Sequence, residues 1–157
     1  EDQEFPKRCG HLEGKKLVAT EEMCEKIAAA AAAKSCPEFL LIARTDARGA
    51  AGGSLDEVIR RGKAYADAGA DMVFPEAIYT LEQYHQFKQA VQVPILANIT
   101  EFGQTPLFTT SELAGAGVDI VLGPEMKSTG EAIRFIKDLR DPYFRQLYKD
   151  RSMYLSK

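Results

Sequence analysis

Ala68-Gly-Ala-Asp-Met-Val-Phe74 and Ala116-Gly-Val-Asp-Ile-Val-Leu122 are two versions of one pattern. In each, a helix ends at glycine, an acidic residue turns the chain, and an apolar strand begins. Before the first copy, Ser54-Leu-Asp-Glu57 reads as a capping box, and Leu55, Val58, Ile59, Gly62, Tyr65 and Ala66 follow at helical spacing. After it, Met72-Val-Phe74 is a strand, Thr80-Leu-Glu-Gln83 caps a helix to about Ala90, and Pro94-Ile-Leu-Ala-Asn98 is the next strand. Around the second copy, Thr109-Thr-Ser-Glu112 caps a short helix, Asp119-Ile-Val-Leu122 is a strand, and Ser128-Thr-Gly-Glu131 opens a further helix. Upstream, Thr20 is expected to cap an alanine-rich helix from 21 to about 34. The apolar run Phe39-Leu-Leu-Ile-Ala43 is expected to form a strand buried on both faces, with a polar loop over 44–53 behind it.

Strands alternating with helices at this spacing indicate right-handed βαβ units and a parallel sheet, hence an α/β fold. Four or five such units make either an open doubly wound sheet or part of a (β/α)8 barrel, and composition does not choose between them. Both architectures place ligands at the carboxyl ends of the strands, so the loops after each strand are where chemistry belongs.

Composition narrows the partners. The chain has 157 residues, 45% hydrophobic, with 20 Lys and Arg against 23 Asp and Glu. A net charge of −3 offers no basic stripe for nucleic acid or an anionic membrane, so polyanion binding is not expected. No apolar run approaches the roughly 20 residues that span a bilayer, and no secretory signal opens the chain. A soluble protein of the cytoplasm, or of the mitochondrial matrix in a eukaryote, is expected, with residues 1–157 as a single domain. Cys9, Cys24 and Cys36 lack the spacing of a zinc site or a disulfide framework.

Reading the strand-end loops in turn gives a polar ring. Lys7-Arg-Cys-Gly-His11 sets two cations and an imidazole around one thiol, a setting that suits proton transfer, and Gly10 permits close backbone approach. The alternative is a solvated basic turn with an incidental cysteine. Arg44 follows its strand and can fork onto a carboxylate, unless it is spent on a salt bridge to Asp46 or Glu76. Glu76 can bind a hydroxyl, a metal-bound water or Arg44, while Asn98 and Thr100 offer amide and hydroxyl groups. His85, mid-helix, reads as a surface side chain, Cys24 and Cys36 as inert thiols, and the aromatic tail Asp141-Pro-Tyr-Phe-Arg-Gln-Leu-Tyr-Lys149 as packing.

These residues resemble the isocitrate lyase and phosphoenolpyruvate mutase superfamily, in particular its 2-methylisocitrate lyases. The resemblance runs from Glu1 to about Glu112, and Lys7 to His11 is its most specific piece. Glu1-Asp-Gln3, Ala43-Arg-Thr-Asp46, Phe74-Pro-Glu-Ala77 and Asn98-Ile-Thr-Glu-Phe-Gly103 with Thr105-Pro106 support it. It implies a (β/α)8 TIM barrel, usually tetrameric with a swapped C-terminal helix, and a Mg²⁺-dependent retro-aldol cleavage of a tricarboxylate to pyruvate and succinate. By resemblance Cys9 is the proton donor, and Lys7 and His11 set its charge state. Cys9, Gly10, Arg44, Glu76, Asn98, Ile99 and Thr100 contact substrate, and Glu1 lies beside the metal. Carboxyvinyl-carboxyphosphonate phosphonomutase and isocitrate lyase are the alternatives within the superfamily, and a catalytically incomplete half-barrel is the alternative outside catalysis.

Departures from the family pattern are equally informative. The family's principal metal-binding aspartates come from a strand upstream of anything present here. After Leu122 the family's Tyr-Pro-Leu-Ser is replaced by Gly123-Pro-Glu-Met-Lys-Ser-Thr129, so Thr129 falls near the place of a substrate-binding arginine, with Lys127 beside it. Residues 139–157 form an unaligned, helical tail. A full barrel runs to about 250 residues, so the chain is expected to be the C-terminal part of one, about four to five βα units.

Overall fold

The computed structural model describes residues 1–10, 12, 14–99 and 105–123. Within the compact unit Glu1–Leu122, helices and strands alternate as α1 (Thr20–Ala32), β1 (Ile42–Thr45), α2 (Leu55–Asp67), β2 (Met72–Pro75), α3 (Leu81–Val91), β3 (Leu96–Asn98), α4 (Thr110–Gly115) and β4 (Ile120–Leu122). The expected helix at Ser128, the positions of Lys127 and Thr129, and the tail over 139–157 lie outside the described residues.

Three helices start where a hydroxyl residue satisfies an orphan amide. Ser54, Thr80 and Thr109 accept from the amides of Glu57, Gln83 and Glu112. Only the last is a full reciprocal box, with Glu112 reaching back to the Thr109 amide at 2.7 Å. Glu57 instead turns outward to Arg60 and Arg61, and Gln83 accepts from the Tyr79 amide. At α1 the expectation fails by one residue. Ala19 is the N-cap, without a side-chain cap, and Thr20 is the first helical residue, because its hydroxyl is taken by Arg60 at 2.8 Å.

The first strand is also displaced from the expected span. Phe39 is 57% exposed and precedes the strand, while Arg44 lies inside it. Asp71 explains where pairing begins: its amide donates to the Leu41 carbonyl at 3.0 Å and its carboxylate accepts from the Leu41 amide at 2.7 Å. Pairing continues through Arg44, whose carbonyl accepts from the Asp2 amide at 3.2 Å.

All strand pairs are parallel. β1 lies on β2 with Ile42 opposite Met72, and β3 on β4 with Leu96 opposite Ile120. A parallel bridge between Val73 and Ile95 joins β2 to β3. Neighbours among the described strands therefore follow chain order, as they do around a (β/α)8 barrel.

The two copies of the opening pattern fold alike. Gly69 and Gly117 take φ of 105° and 89°, which favour glycine, and each helix closes with a bond from the next amide, Ala70 to Tyr65 and Val118 to Leu113. The main core joins Val58 of α2, Val73 of β2, Phe87 of α3, Ile95 and Leu113. A second cluster sets Met23 and Ile27 of α1 against Ala43, Tyr65 and Ala70. Among the described residues no helix is long and apolar enough to cross a membrane.

Candidate active site

The β1 strand delivers Arg44 to a cluster of carboxylates. Its Nε and Nη2 donate to Asp46 Oδ2 and Oδ1, both at 2.9 Å, the bidentate geometry in which guanidinium binds carboxylate best. Nη2 also lies 3.2 Å from Glu76 Oε2, and Nε lies 3.7 Å from Glu1 Oε2. The Phe74 ring supports the guanidinium from one face, 4.9 Å away. Burial alone pulls the Arg44 guanidinium down. The hydrogen bonds and charge of Asp46, then the charges of Glu76 and Glu1, outweigh it and hold Arg44 above its ordinary value.

Glu76 is 3% exposed, and its Oε2 makes no hydrogen bond. The 3.2 Å approach of Arg44 is an ion-pair contact outside hydrogen-bond geometry, so a buried acceptor is left for another donor. Its charge also helps to push the buried Tyr84 phenol up, after burial itself as the larger cause.

Gly10 closes this cluster from the other side. A Cβ there would run into Arg44 Nη2 and come within 2.9 Å of the Glu76 carboxyl carbon, so the loop can approach only without a side chain. Cys9, next in the chain, is exposed, and all three cysteines are free. Lys7, expected beside the thiol, pairs with Glu1 at 3.5 Å. Gln3 ties the loop down by a reciprocal pair with Arg8, amide to Oε1 and Nε2 to carbonyl, each 2.9 Å.

The loop therefore brings Gly10, Arg44, Glu76 and, through its neighbours, Glu1 and Lys7 into one place. Asn98 ends β3 opposite Leu122, and the Val73–Ile95 register brings it level with Glu76. Ile99 is 6% exposed and packs in the main core. His11 and Thr100 lie outside the described residues. His85 is exposed, as its surface position in α3 suggests. Cys24 donates to the Ala64 carbonyl at 3.5 Å, and burial followed by Glu21 pushes its thiol up, as fits an inert cysteine.

Beneath the ring lies a buried network that the sequence reading did not single out. Asp2, fully buried, accepts from Thr45 Oγ1 at 2.8 Å, the Asp46 amide at 2.9 Å, the Tyr65 hydroxyl at 2.7 Å and Arg61 Nη1 at 3.3 Å. It thereby fixes the residue that grips Arg44. Burial, then the charge of Asp2, pushes the Tyr65 phenol up. A signal was available: Arg61 is three residues after Val58 and four before Tyr65, inside the apolar stripe of α2, and a charge there demands a buried partner.

A cavity of about 640 Å³ borders this network, lined by Lys15, Ala47, Gly53, Ser54, Glu57 and Arg61 among others. Three of its wall charges are paired, Arg61 with Glu57 and Lys15 with Asp46, and the polar ring at the strand ends is taken as the candidate site. Among the described residues no group of three His, Cys, Asp or Glu could hold a metal ion, and Glu1 is engaged by Lys7 and Arg44.

Known proteins are similar to this chain in sequence and fold. The family model described as phosphoenolpyruvate phosphomutase matches residues 1–133. A 2-methylisocitrate lyase of Escherichia coli (strain K12) is 57% identical over 124 residues, which cover 79% of this chain and 41% of that protein. The chain therefore spans about two fifths of the length of this curated relative. Among solved structures, 2,3-dimethylmalate lyase, described as a PEP mutase/isocitrate lyase superfamily member, superposes with a TM-score of 0.71 at 31% identity, covering 98% of this chain and 57% of that one. Phosphonopyruvate hydrolase in complex with oxalate and Mg²⁺ superposes with a TM-score of 0.60 at 28% identity, covering 98% and 59%. Since the family model spans every residue of the ring, the chain belongs to the phosphoenolpyruvate phosphomutase family, within the superfamily its loop sequences resemble.

Proposed function

We propose that this chain is the part of a carbon–carbon lyase that carries the proton donor and a carboxylate-binding arginine, and that the full-length protein cleaves 2-methylisocitrate to pyruvate and succinate. The observation that supports the reading is Gly10, the residue after Cys9, seated against Arg44 and against Glu76, whose Oε2 is a buried acceptor lacking a hydrogen bond. The 57% identity to a 2-methylisocitrate lyase supports this choice of substrate.

Each residue has a defined task. Arg44, which Asp46 and Glu76 engage in this structure, exchanges part of that pairing for a substrate carboxylate, and Glu76 Oε2 accepts the hydrogen bond of the hydroxyl at the bond to be broken. As the hydroxyl proton passes to Glu76 Oε2, the C2–C3 bond breaks, C2 becomes the carbonyl of pyruvate, and the electron pair of the broken bond passes to C3. The Cys9 thiol gives its proton to C3, which completes succinate. Lys7 adds positive charge near this step, and Asn98 offers an amide at the level of Glu76. Mg²⁺, present in the phosphonopyruvate hydrolase complex, is proposed as the cofactor of the full-length protein, where it would stabilise negative charge. The described residues supply no ligand set for it, so none of the steps above runs through it.

Pyruvate release from 2-methylisocitrate by the full-length protein tests the reading. Cys9→Ser is expected to lower kcat by about 10²- to 10⁴-fold, the range for removal of a general acid. Full activity in that variant, or no release by the unaltered protein with Mg²⁺, would sink it. Sedimentation of the full-length protein as a tetramer, and its recovery in the cytoplasmic fraction, would extend it.

A further inference from the structure

We propose that Lys15 is a positioning residue whose ammonium anchors the Cys9–Gly10 backbone to the Asp46–Arg44 pair. Its side chain is 1% exposed, and a buried lysine is tolerated only where acceptors replace water. The acceptors are the Gly10 carbonyl, to which Nζ donates, and Asp46 Oδ1 at 3.9 Å. That same Oδ1 receives Arg44 Nη2, so one carboxylate oxygen joins the loop to the strand-end arginine. The slot exists because residue 49 is glycine: a Cβ there would lie 2.5 Å from Lys15 Nζ. Gln3 holds the loop at Arg8, and the Leu12 amide donates to the Cys9 carbonyl at 2.9 Å. Lys15 is the tie between them, at the residue that follows the thiol, and it sets where the thiol stands relative to Arg44.

This inference rests on Cys9 being the proton donor for its meaning in catalysis, but not for its test. Residue-resolved amide hydrogen exchange on this chain reads the anchor directly. Lys15→Met is expected to speed exchange of the Leu12 amide about tenfold, the effect of losing a hydrogen bond to a charged group, while the amide of Ala68, which closes the end of α2 on the Ala64 carbonyl, keeps its rate. Gly49→Ala leaves the lysine in place but displaces its ammonium, and is expected to do the same. Unchanged Leu12 exchange in both variants would overturn the proposal. So would equal acceleration of Leu12 and Ala68 in both, since the lysine would then support the whole fold. If Lys15→Met alone unfolds, Gly49→Ala decides. An active Cys9→Ser full-length protein would remove the proton-donor reading and leave the exchange result standing.

Discussion

At the starts of the strands, Asp71 and Asp119 perform the same task twice. Asp71 accepts from Lys34 at 2.7 Å and from the Leu41 amide at 2.7 Å; Asp119 accepts from Lys88 at 2.7 Å and from the Ile95 amide at 2.8 Å. Each carboxylate pins the start of the preceding strand and a lysine, Lys34 just beyond α1 and Lys88 within α3. At the strand ends nothing repeats: Arg44, Glu76 and Asn98 differ in charge and chemistry, and Asp2 reaches in from outside the strands. In a barrel the start of a strand serves stability and its end serves chemistry, and the repeated and unrepeated ends divide along that line.

The difference can be broken at its strongest point first. Asp2→Ala leaves Arg61 and Tyr65 without their buried acceptor, and about 3 to 5 kcal/mol of stability is expected to go, read from urea unfolding of this chain. A loss below 1 kcal/mol would mean that the network under the ring does not hold it. Asp71→Ala and Asp119→Ala come next. Each deletes a half-exposed ion pair and one hydrogen bond to a strand amide, so about 1 kcal/mol is expected from either, and nearly the same from both. Clearly unequal losses would show that the repeated pattern is not a repeated function.

The smallest effect is with pH. Hydrogen bonds from Arg60, and then from Arg61, hold the Glu57 carboxyl down to about 2, against an ordinary 4.5. Burial pushes Asp71 up, but the bonds from Lys34 and the Leu41 amide outweigh it and leave its carboxyl lowered. Folded carboxyls of this kind take up protons later than unfolded ones as acid is added. Their contribution is therefore complete above about pH 4.5 and is lost as pH falls toward 2. The melting temperature should decline over that window, and Asp71→Asn should flatten part of the decline. An equal decline in the variant would remove Asp71 from the account.

Most of the fold was legible because its signals are local. Hydroxyl residues ahead of Leu55, Leu81 and Thr110, and glycine at 69 and 117, act on their own neighbours, and the helices Leu55–Asp67 and Leu81–Val91 follow from them. Thr20 was misread as a cap because its hydroxyl goes to Arg60, forty residues away. The strand at 42–45 was misplaced because its start is set by Asp71, on another strand's approach. Among the site residues, Arg44 and Glu76 could be chosen from their places after apolar runs. Asp2 and Lys15 could not, since their importance lies in burial, and burial is conferred by residues distant in sequence.

By itself, then, the amino-acid order determined the alternation of helix and strand, the loops that carry polar groups, and the family to which those loops belong. Periodicity and capping act within a few residues, and motif spelling needs no fold to be read. Only the tertiary structure decided that the described strands neighbour one another in chain order, that Gly10 admits Arg44 and Glu76 beneath the thiol's loop, and that Lys15 and Asp2 grip Asp46 from two sides. Those are contacts between distant segments. Their energies depend on excluding water from a shared space, which no single segment can do.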